Sequence, residues 1–364
     1  MASPECYGNY ASGKLLCQSC YTSKKCAQAS REKQEDVLQL VVPQILEGRI
    51  ETSRFSLALT LYSGQTFRWG RDHDGWWKGI AYGVVLRLKQ QDDVVHYFAS
   101  ANKVSTYDGE KDIEDFLRWY LRLDEDPKVR VPRGDRYLRR ARDRMRGFRF
   151  VRQEPLECIV SYILSVQAHM SLTKQRIQFL SQILGQPIRV GEEDYWSFPD
   201  VDALALLDED YYRHQRFGWR SKFWPTSTRF IRDLARKNRK ETPDLSLAEW
   251  RSLVDKLVDT PNSGIGLKVA KCIDLFSLGR LNAVPVDTWV RKMAADWYGV
   301  EGTDARICAW AEHRGGRHAG YWGEYLFAHY RELKAPCVDD RVLSFEASDA
   351  SSSILPFERR GCEG

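Results

Sequence analysis

The sequence of 364 residues has no hydrophobic run that approaches the roughly 20 residues of a membrane-spanning helix. Its longest candidate, residues 159–166, is interrupted by Ser161 and Ser165. The first residues lack the basic start and apolar stretch of a secretory signal, so we expect no cleaved leader. An integral membrane protein and a small secreted disulfide scaffold are therefore excluded. Apolar residues make up 43% and charged residues 29%, which is typical of a globular chain.

The formal net charge of the chain is small, +5, but the charged residues are unevenly distributed. Residues 128–152 contain eleven Lys or Arg and only two acids, so this window carries +9 and the rest of the chain −4. Concentrated positive charge suggests a polyanionic partner such as nucleic acid. Apolar residues recur in the same window at roughly helical spacing, which also fits a solvated basic helix on a core. The charge alone leaves both interpretations open.

Cysteine is scattered over most of the chain, but four of the nine lie in the first 26 residues. These four are Cys6, Cys17, Cys20 and Cys26, with the spacing C-x10-C-x2-C-x5-C. Four thiolates bind a tetrahedral zinc ion or a [4Fe–4S] cluster, whereas disulfides or free thiols are the alternatives without a metal. We expect a structural zinc ion, or an iron–sulfur cluster, at these cysteines. Because four ligands fill a tetrahedral site, we expect no cofactor for catalysis.

Turn signals and hydrophobic periods predict two structural regions of different class. Residues 53–110 carry hairpin signals, including turns at Asp74-Gly75 and Asp92-Asp93, and predict an antiparallel sheet. From Asp112 the hydrophobic period becomes 3.6, and helical patterns continue to about residue 335. We therefore predict an α+β fold, in which an N-terminal antiparallel β-sheet domain precedes a mostly α-helical domain.

Finer boundaries follow from the same patterns. Residues 27–50 are interpreted as a lead-in helix, and the alternating segment from Phe55 to Leu61 as part of the sheet. The predicted domains are a cysteine-rich metal-binding arm (1–30), a sheet domain with flanking helices (31–125), a helical domain (126–335) and a flexible tail (336–364).

The most informative stretch runs from residue 257 to 298 and contains Gly264-Ile265-Gly266 between two helical patterns, near residues 255–275. Such glycines let the backbone turn tightly, so that amides at the start of the second helix face outward. An exposed helix N-terminus binds phosphate, which is how a helix-hairpin-helix grips a DNA backbone. A plain helix connection gives the same pattern. Lys268 follows the hairpin by two residues, and Asp287 comes nineteen residues later, directly after Val-Pro-Val.

At these residues the sequence resembles the helix-hairpin-helix superfamily of DNA glycosylases, and within it the 8-oxoguanine DNA glycosylase/AP lyase family. The resemblance covers roughly residues 53–335 and leaves the cysteine arm and the tail outside it. Further segments that carry it are Ser63-Gly-Gln-Thr-Phe-Arg-Trp69, Phe116-Leu-Arg-Trp-Tyr with Leu123-Asp, Arg152-Gln-Glu-Pro-Leu-Glu-Cys158 and Phe217-Gly-Trp-Arg220.

The resemblance implies a bifunctional DNA glycosylase/AP lyase of base excision repair that flips 8-oxoguanine out of duplex DNA and excises it. Lys268 would be the nucleophile that forms a Schiff base before β-elimination, and Asp287 would stabilise positive charge on the sugar. The non-catalytic alternatives are a surface lysine for Lys268 and a helix N-cap for Asp287. The expected partner is double-stranded DNA containing a damaged base, with no membrane and no second subunit. We expect an intracellular, DNA-associated monomer.

Further residues acquire roles from the resemblance. Gly64 would offer its backbone carbonyl to the damaged purine, and Cys272 and Phe327 would hold the ring between them. The alternatives without a functional role are a strand turn at Gly64 and ordinary core positions for Cys272 and Phe327.

Three residues match positions that fill the gap left by the extruded base. Trp219 would wedge beside the opposite base, Arg220 would contact that base, and Gln167 would enter the gap. A buried core tryptophan is the alternative for Trp219.

Several residues depart from the family pattern. Leu172 stands where an arginine that reads the opposite cytosine is expected, and Trp289 replaces a histidine in the DNA interface. Gly323 replaces a glutamine that reads the edge of the base, although the adjacent Glu324 offers a polar group to the pocket. These departures keep two alternatives open: a glycosylase for another damaged base such as an alkylated purine, and a non-catalytic module that binds damaged DNA.

Overall fold

A computed structural model describes most of the sheet and helical regions. The residues described are 45–215, 217–237, 240 and 244–334. The cysteine arm (1–30), with its expected zinc ion or iron–sulfur cluster, and the tail (336–364) lie outside these residues, so both stay predictions. No helix in the described ranges is long and apolar enough to cross a membrane.

The N-terminal part is a five-stranded antiparallel sheet with strand order β1-β5-β4-β3-β2. Its strands are β1 (Leu46–Glu51), β2 (Trp69–Arg71), β3 (Trp77–Ala81), β4 (Val84–Gln91) and β5 (Val94–Ala99). The predicted turns connect neighbouring strands: Gly75 has φ +81° between β2 and β3, and Asp92 has φ +51° between β4 and β5. The predicted antiparallel sheet is therefore confirmed.

Two predictions at the start of this region are wrong. Residues 46–50, the described end of the expected lead-in helix, belong to strand β1. The alternating segment after Phe55 forms helix α1 (Leu57–Tyr62) and not a strand. The Ser56 hydroxyl caps this helix by accepting a hydrogen bond from the Leu59 amide at 3.3 Å. A short apolar run suits either a strand or a helix, and here the burial of Leu57 and Leu61 together with the cap favours the helix.

Two small hairpins accompany the sheet and the helices. The first joins β6 (Lys103–Thr106) to β7 (Gly109–Asp112) ahead of the first long helix. The second joins β8 (Pro187–Val190) to β9 (Glu193–Trp196), within the region predicted to be mostly helical. Gly191, with φ +60°, makes the turn of this second hairpin.

Helices make up most of the remaining described chain, as the hydrophobic period predicts. They are α2 (Ile113–Tyr120), α3 (Arg136–Arg144), α4 (Pro155–Ser165), α5 (Met170–Leu184), α6 (Val201–Leu206), α7 (Glu209–His214), α8 (Phe223–Lys237), α9 (Leu247–Val258), α10 (Leu267–Phe276), α11 (Thr288–Tyr298), α12 (Asp304–Gly315) and α13 (Ala319–Lys334). The sheet packs with α1 and α2 in one hydrophobic cluster, and the later helices form a second cluster. The α+β fold is confirmed, whereas the predicted domain bounds stay predictions.

The basic window of residues 128–152 serves two structural purposes. Helix α3 buries Leu138 and Ala141 and exposes most of its arginines, as a solvated basic helix does. Arg152, in contrast, is buried and makes two 3.0 Å hydrogen bonds to the carboxylate of Asp124. Part of the positive charge therefore stabilises the fold, whereas most arginines of α3 lie on the exposed surface.

Candidate active site and DNA-facing rim

The predicted helix-hairpin-helix is formed by α9, a tight loop and α10. Gly264 has φ +76°, and a Cβ there would lie 2.7 Å from the Cβ of Phe223, so the loop admits only glycine. The Ser263 hydroxyl accepts a hydrogen bond from the Ile265 amide at 3.1 Å, and its carbonyl accepts one from Ser227 at 2.7 Å. These contacts fix the loop against helix α8.

The second helix of the hairpin begins in the open. Gly266 is its N-cap and is exposed, and no side chain caps the first turn. The amides at the start of α10 are thus left for an external acceptor, as the glycine pattern predicts.

The predicted catalytic residues line one cavity of about 130 Å³. Lys268 lies in the first turn of α10, with its ammonium nitrogen 5.5 Å from the ring centre of Tyr162. Asp287 is the N-cap of α11, and its carboxylate accepts a hydrogen bond from the Val290 amide at 2.8 Å. Asp287 therefore both caps α11 and lines the cavity.

The residues predicted for the base pocket surround the same cavity. Gly64 comes from the segment after α1, Cys272 from α10, and Gly323, Glu324 and Phe327 from α13. Gly64 has φ +86°, which glycine adopts without strain. Elements far apart in sequence thus bring all seven predicted catalytic and pocket residues together.

Burial shifts the titration of two groups in this cavity. It raises the pKa of the Cys272 thiol to about 11, with the nearby Lys268 acting in the opposite direction. It also raises the pKa of Glu324 to about 8, aided by the Asp287 carboxylate and opposed by Arg331. Near neutral pH, both groups therefore present a neutral, protonated form to the cavity.

A second surface, which we call the rim, consists of Gln167, Met170, Leu172 and Trp219. All four are exposed, and the three apolar side chains retain 39%, 39% and 43% of their accessible surface respectively. Gln167 has φ +49°, an uncommon conformation for a side chain other than glycine. Met170 also lines the cavity, so the rim begins at the entrance of the pocket.

Arg220 supports the rim from behind. It is buried, and it donates hydrogen bonds of 2.6 Å to the carbonyls of Val166 and Gln167. Its guanidinium also lies 4.7 Å from the ring centre of Trp219. These contacts fix the Gln167 turn and the Trp219 ring relative to each other. The predicted contact of Arg220 with the opposite base stays a prediction, and it would use the remaining N–H groups.

The N-terminal domain of 8-oxoguanine DNA glycosylases matches residues 49–159. The N-glycosylase/DNA lyase OGG1 of Arabidopsis thaliana is 29% identical over 257 residues, which cover 68% of each chain.

Two solved structures extend this similarity through the helical region. MBOgg1, in complex with a low affinity DNA ligand, has a TM-score of 0.64 and 26% identity over 79% of this chain and 96% of its own. The Clostridium acetobutylicum 8-oxoguanine glycosylase/lyase, with dsDNA containing cytosine opposite 8-oxoG, has a TM-score of 0.63 and 25% identity over 80% and 98%. The chain is therefore similar to 8-oxoguanine DNA glycosylases both in its N-terminal domain and through the helical region.

Gln65, which follows Gly64 in the first motif, has a structural role that the sequence does not indicate. Gln65 donates through its amide to the carbonyls of Thr60 at 2.7 Å and Arg149 at 3.0 Å, and it accepts from the Val151 amide at 2.8 Å. Tyr162 donates to the Gln65 carbonyl at 3.0 Å. Gln65 thus holds the segment that presents Gly64 against the helical core. A glutamine beside a motif glycine does not indicate this role in the sequence, because its burial is known only from the structure.

The departures from the family pattern also have structural explanations. Trp289 is half-buried, and its ring packs edge-on against Tyr330 with a centre separation of 6.3 Å. Its place in the DNA interface stays a prediction. Gly323 is buried, and a Cβ there would lie 3.1 Å from the Val284 side chain. Close packing against Val284 therefore disfavours a larger side chain at position 323.

Proposed function

We propose that this protein is a bifunctional DNA glycosylase/AP lyase that excises 8-oxoguanine from duplex DNA in base excision repair. The observation that carries the proposal is the meeting of Lys268 and Asp287 in one cavity, beside an outward-facing helix N-terminus. A module that only binds damaged DNA needs a grip and a pocket, but it needs no amine and carboxylate beside the sugar.

In the proposed reaction, the Lys268 amine forms a bond to C1′ of the sugar. The glycosidic bond breaks, and its electron pair leaves with the base, which takes up a proton. The Asp287 carboxylate stabilises the positive charge that develops on the sugar. Opening of the sugar ring gives a Schiff base. Loss of a C2′ proton then expels the 3′ phosphate and nicks the strand.

The DNA contacts of the proposal follow from the site. The amides at the start of α10 would bind the backbone phosphate next to the lesion, and the extruded base would enter the cavity. The rim would occupy the space that the base leaves in the duplex. An enzyme with this substrate works inside the cell with the genome, in a nucleoid or a nucleus.

Borohydride trapping tests the proposal. Labelled duplexes with 8-oxoguanine opposite cytosine, with an abasic site, or with an alkylated purine would be mixed with protein and borohydride. Wild type should form a covalent adduct with the first two duplexes, and Lys268→Ala should form none. Lys271→Ala is a matched control, because Lys271 lies on the same helix but pairs with Glu312 at 2.6 Å outside the cavity.

Each other result revises the proposal in a defined way. An adduct with the abasic duplex alone would retain the lysine chemistry and remove 8-oxoguanine as the substrate. Release of the alkylated purine in preference would favour that class of lesion. Absence of any adduct would favour a damage-binding module.

The cysteine arm is tested separately. We propose that Cys6, Cys17, Cys20 and Cys26 bind a structural metal that is distinct from the catalytic cavity. Zinc at one ion per chain without colour would support a zinc site, whereas iron with a visible absorption band would support a cluster. Neither metal in freshly purified protein would contradict both.

A further inference from the structure

We propose that the carboxyl group of Glu324 hydrogen-bonds the edge of the extruded base and thereby decides which bases this enzyme accepts. The inference rests on the proposed function and assigns the base-reading role within the same cavity. Glu324 lies on α13 and lines the cavity together with Lys268 and Asp287. It is partly buried, and its side chain borders the space that a base would fill.

The Glu324 carboxyl has unused hydrogen-bonding capacity. Within the described part of the chain, no residue donates a hydrogen bond to it, and no ion pair holds it. A partly buried polar group without a partner costs free energy, so such a group in a binding cavity is best explained by a partner that arrives with the ligand.

Other polar side chains around the cavity are already engaged. The Ser63 hydroxyl donates to the Thr60 carbonyl at 3.1 Å, and Tyr162 donates to the carbonyl of Gln65 at 3.0 Å. The Gln65 amide is used in the contacts that hold its own segment. The catalytic pair faces the sugar in the proposed reaction. Arg331 also lines the cavity, where its guanidinium lies 5.3 Å from the ring centre of Phe327, but a guanidinium can only donate hydrogen bonds. Glu324 is therefore the remaining side chain that can both donate to and accept from a polar base edge.

Helix packing explains why this role falls to position 324. The neighbouring Gly323 borders the same cavity, but its missing side chain leaves room for Val284, whose methyl group would be 3.1 Å from a Cβ. Close packing against Val284 thus leaves little room for a polar side chain at position 323. The next residue along α13 supplies the polar group.

A neutral Glu324 has the donor and acceptor pattern that a guanine edge requires. Its O–H can donate to O6 while its carbonyl oxygen accepts from N1–H, as the amide of a glutamine would. The Asp287 carboxylate faces it from α11, Lys268 and Cys272 face it from α10, and Tyr162 faces it from α4. Burial and Asp287 outweigh Arg331 on its own helix and place its pKa at about 8. Entry of the base excludes water and favours the neutral form further.

Above this pKa the Glu324 carboxyl would be deprotonated and would have no O–H to donate to the base. It would also add negative charge beside Asp287 and beside a base that departs with an electron pair. Excision should therefore decline as pH rises through about 8, while attack on an abasic site, which has no base to read, should lack this limb.

Single-turnover excision from an 8-oxoguanine duplex, and trapping on an abasic duplex, test the proposal between pH 6 and pH 9.5. Glu324→Ala should slow excision about 10- to 100-fold at pH 7 and leave trapping unchanged. Glu324→Gln should excise at nearly the wild-type rate at pH 7 and should lose the alkaline decline. Glu332→Gln is the matched control on the same helix, because Glu332 pairs with Arg144 outside the cavity.

Three results would overturn the proposal. Excision by Glu324→Ala at the wild-type rate would remove Glu324 from base recognition. Equal loss of excision and of abasic trapping would assign it to the catalytic pair or to the fold. An alkaline decline that persists in Glu324→Gln would assign the titration to another group.

The same experiment separates this proposal from the proposed function. A wild-type protein that traps neither duplex would contradict both. A wild-type protein that traps only the abasic duplex would contradict the lesion and the base-reading role but retain the lysine chemistry.

Discussion

The base pocket and the rim are neighbouring surfaces that are built in opposite ways. The pocket is enclosed by α10, α13 and the Gly64 segment, and it contains a buried thiol and partly buried charged groups. The rim is exposed and largely apolar, and the buried guanidinium of Arg220 is turned inward to the Val166 and Gln167 carbonyls.

This difference suggests a division of labour between the two strands of the duplex. Hydrogen-bonding groups in an enclosed site discriminate strongly, because a wrong partner leaves them unsatisfied. An exposed apolar surface stacks on any base, since every base has an aromatic face. We therefore expect strict selection of the excised base and weak selection of the base opposite. The following predictions test this contrast, from the largest effect to the smallest.

Removing the charge of Asp287 should give the largest effect on the pocket. Asp287→Asn should lower excision about 10²- to 10³-fold, because the developing charge on the sugar loses its stabilising carboxylate. Asparagine also caps helices, so the melting temperature should change little. Asp200→Asn is a matched control, since Asp200 caps α6 through a 2.7 Å bond from the Ala203 amide away from the cavity. Excision within twofold of wild type would contradict the role of Asp287.

Substitution in the hairpin should mainly affect stability. Gly264→Ala should lower the free energy of unfolding by about 2–3 kcal/mol, because the positive φ and the contact with Phe223 both oppose a Cβ. Gly299→Ala is the control: Gly299 has φ +63° with no heavy atom within 4 Å of a Cβ. Its loss should be only about 1 kcal/mol. Equal losses in denaturant unfolding would show that the Phe223 contact is unimportant.

A hydrogen-bond donor introduced into the rim should create selectivity for the base opposite the lesion, where we expect little in wild type. Wild type should excise 8-oxoguanine opposite each of the four bases at rates within about tenfold of one another, since the rim stacks and does not read. Leu172→Arg should improve excision opposite cytosine relative to adenine by about tenfold, because a guanidinium offers donors to cytosine acceptors. Leu206→Arg, at an exposed leucine outside the rim, should change nothing. A strong cytosine preference in wild type would break the contrast.

Charge removal near Glu324 should give the smallest effect. Arg331 lowers the pKa of Glu324, so Arg331→Gln should raise it and move the alkaline decline of excision to higher pH. The expected displacement is about one pH unit or less, because Arg331 is partly exposed and its field is screened. A pH–rate profile for base release measures it directly. Displacement to lower pH would contradict the assignment of this limb to Glu324.

The sequence by itself determined the fold class and the hairpin, and its resemblance to a glycosylase family indicated the residues of the pocket. Turn residues such as Asp74-Gly75 act locally, and helical periods extend over many residues, so both can be recognised in the sequence without a structure. Lys268 and Asp287 were predicted because the hairpin, the lysine and Val-Pro-Val-Asp, which lie within 24 residues, resemble the corresponding motifs of a known glycosylase family. The structure then confirmed that these side chains share a cavity.

Only the tertiary structure decided how distant segments meet. Gln65 bonds to Arg149 and Val151 across 84 and 86 residues, a relation that no local pattern contains. The fate of the short segment after Phe55 and the β8–β9 hairpin depended on packing, because brief apolar runs fit a strand or a helix equally well. Entry of Glu324 into the pocket, and the inward turn of Arg220, likewise depend on which neighbours occupy the adjoining space. Sequence determines what can be recognised within a few turns of chain, whereas three-dimensional packing decides which polar groups remain free to recognise DNA.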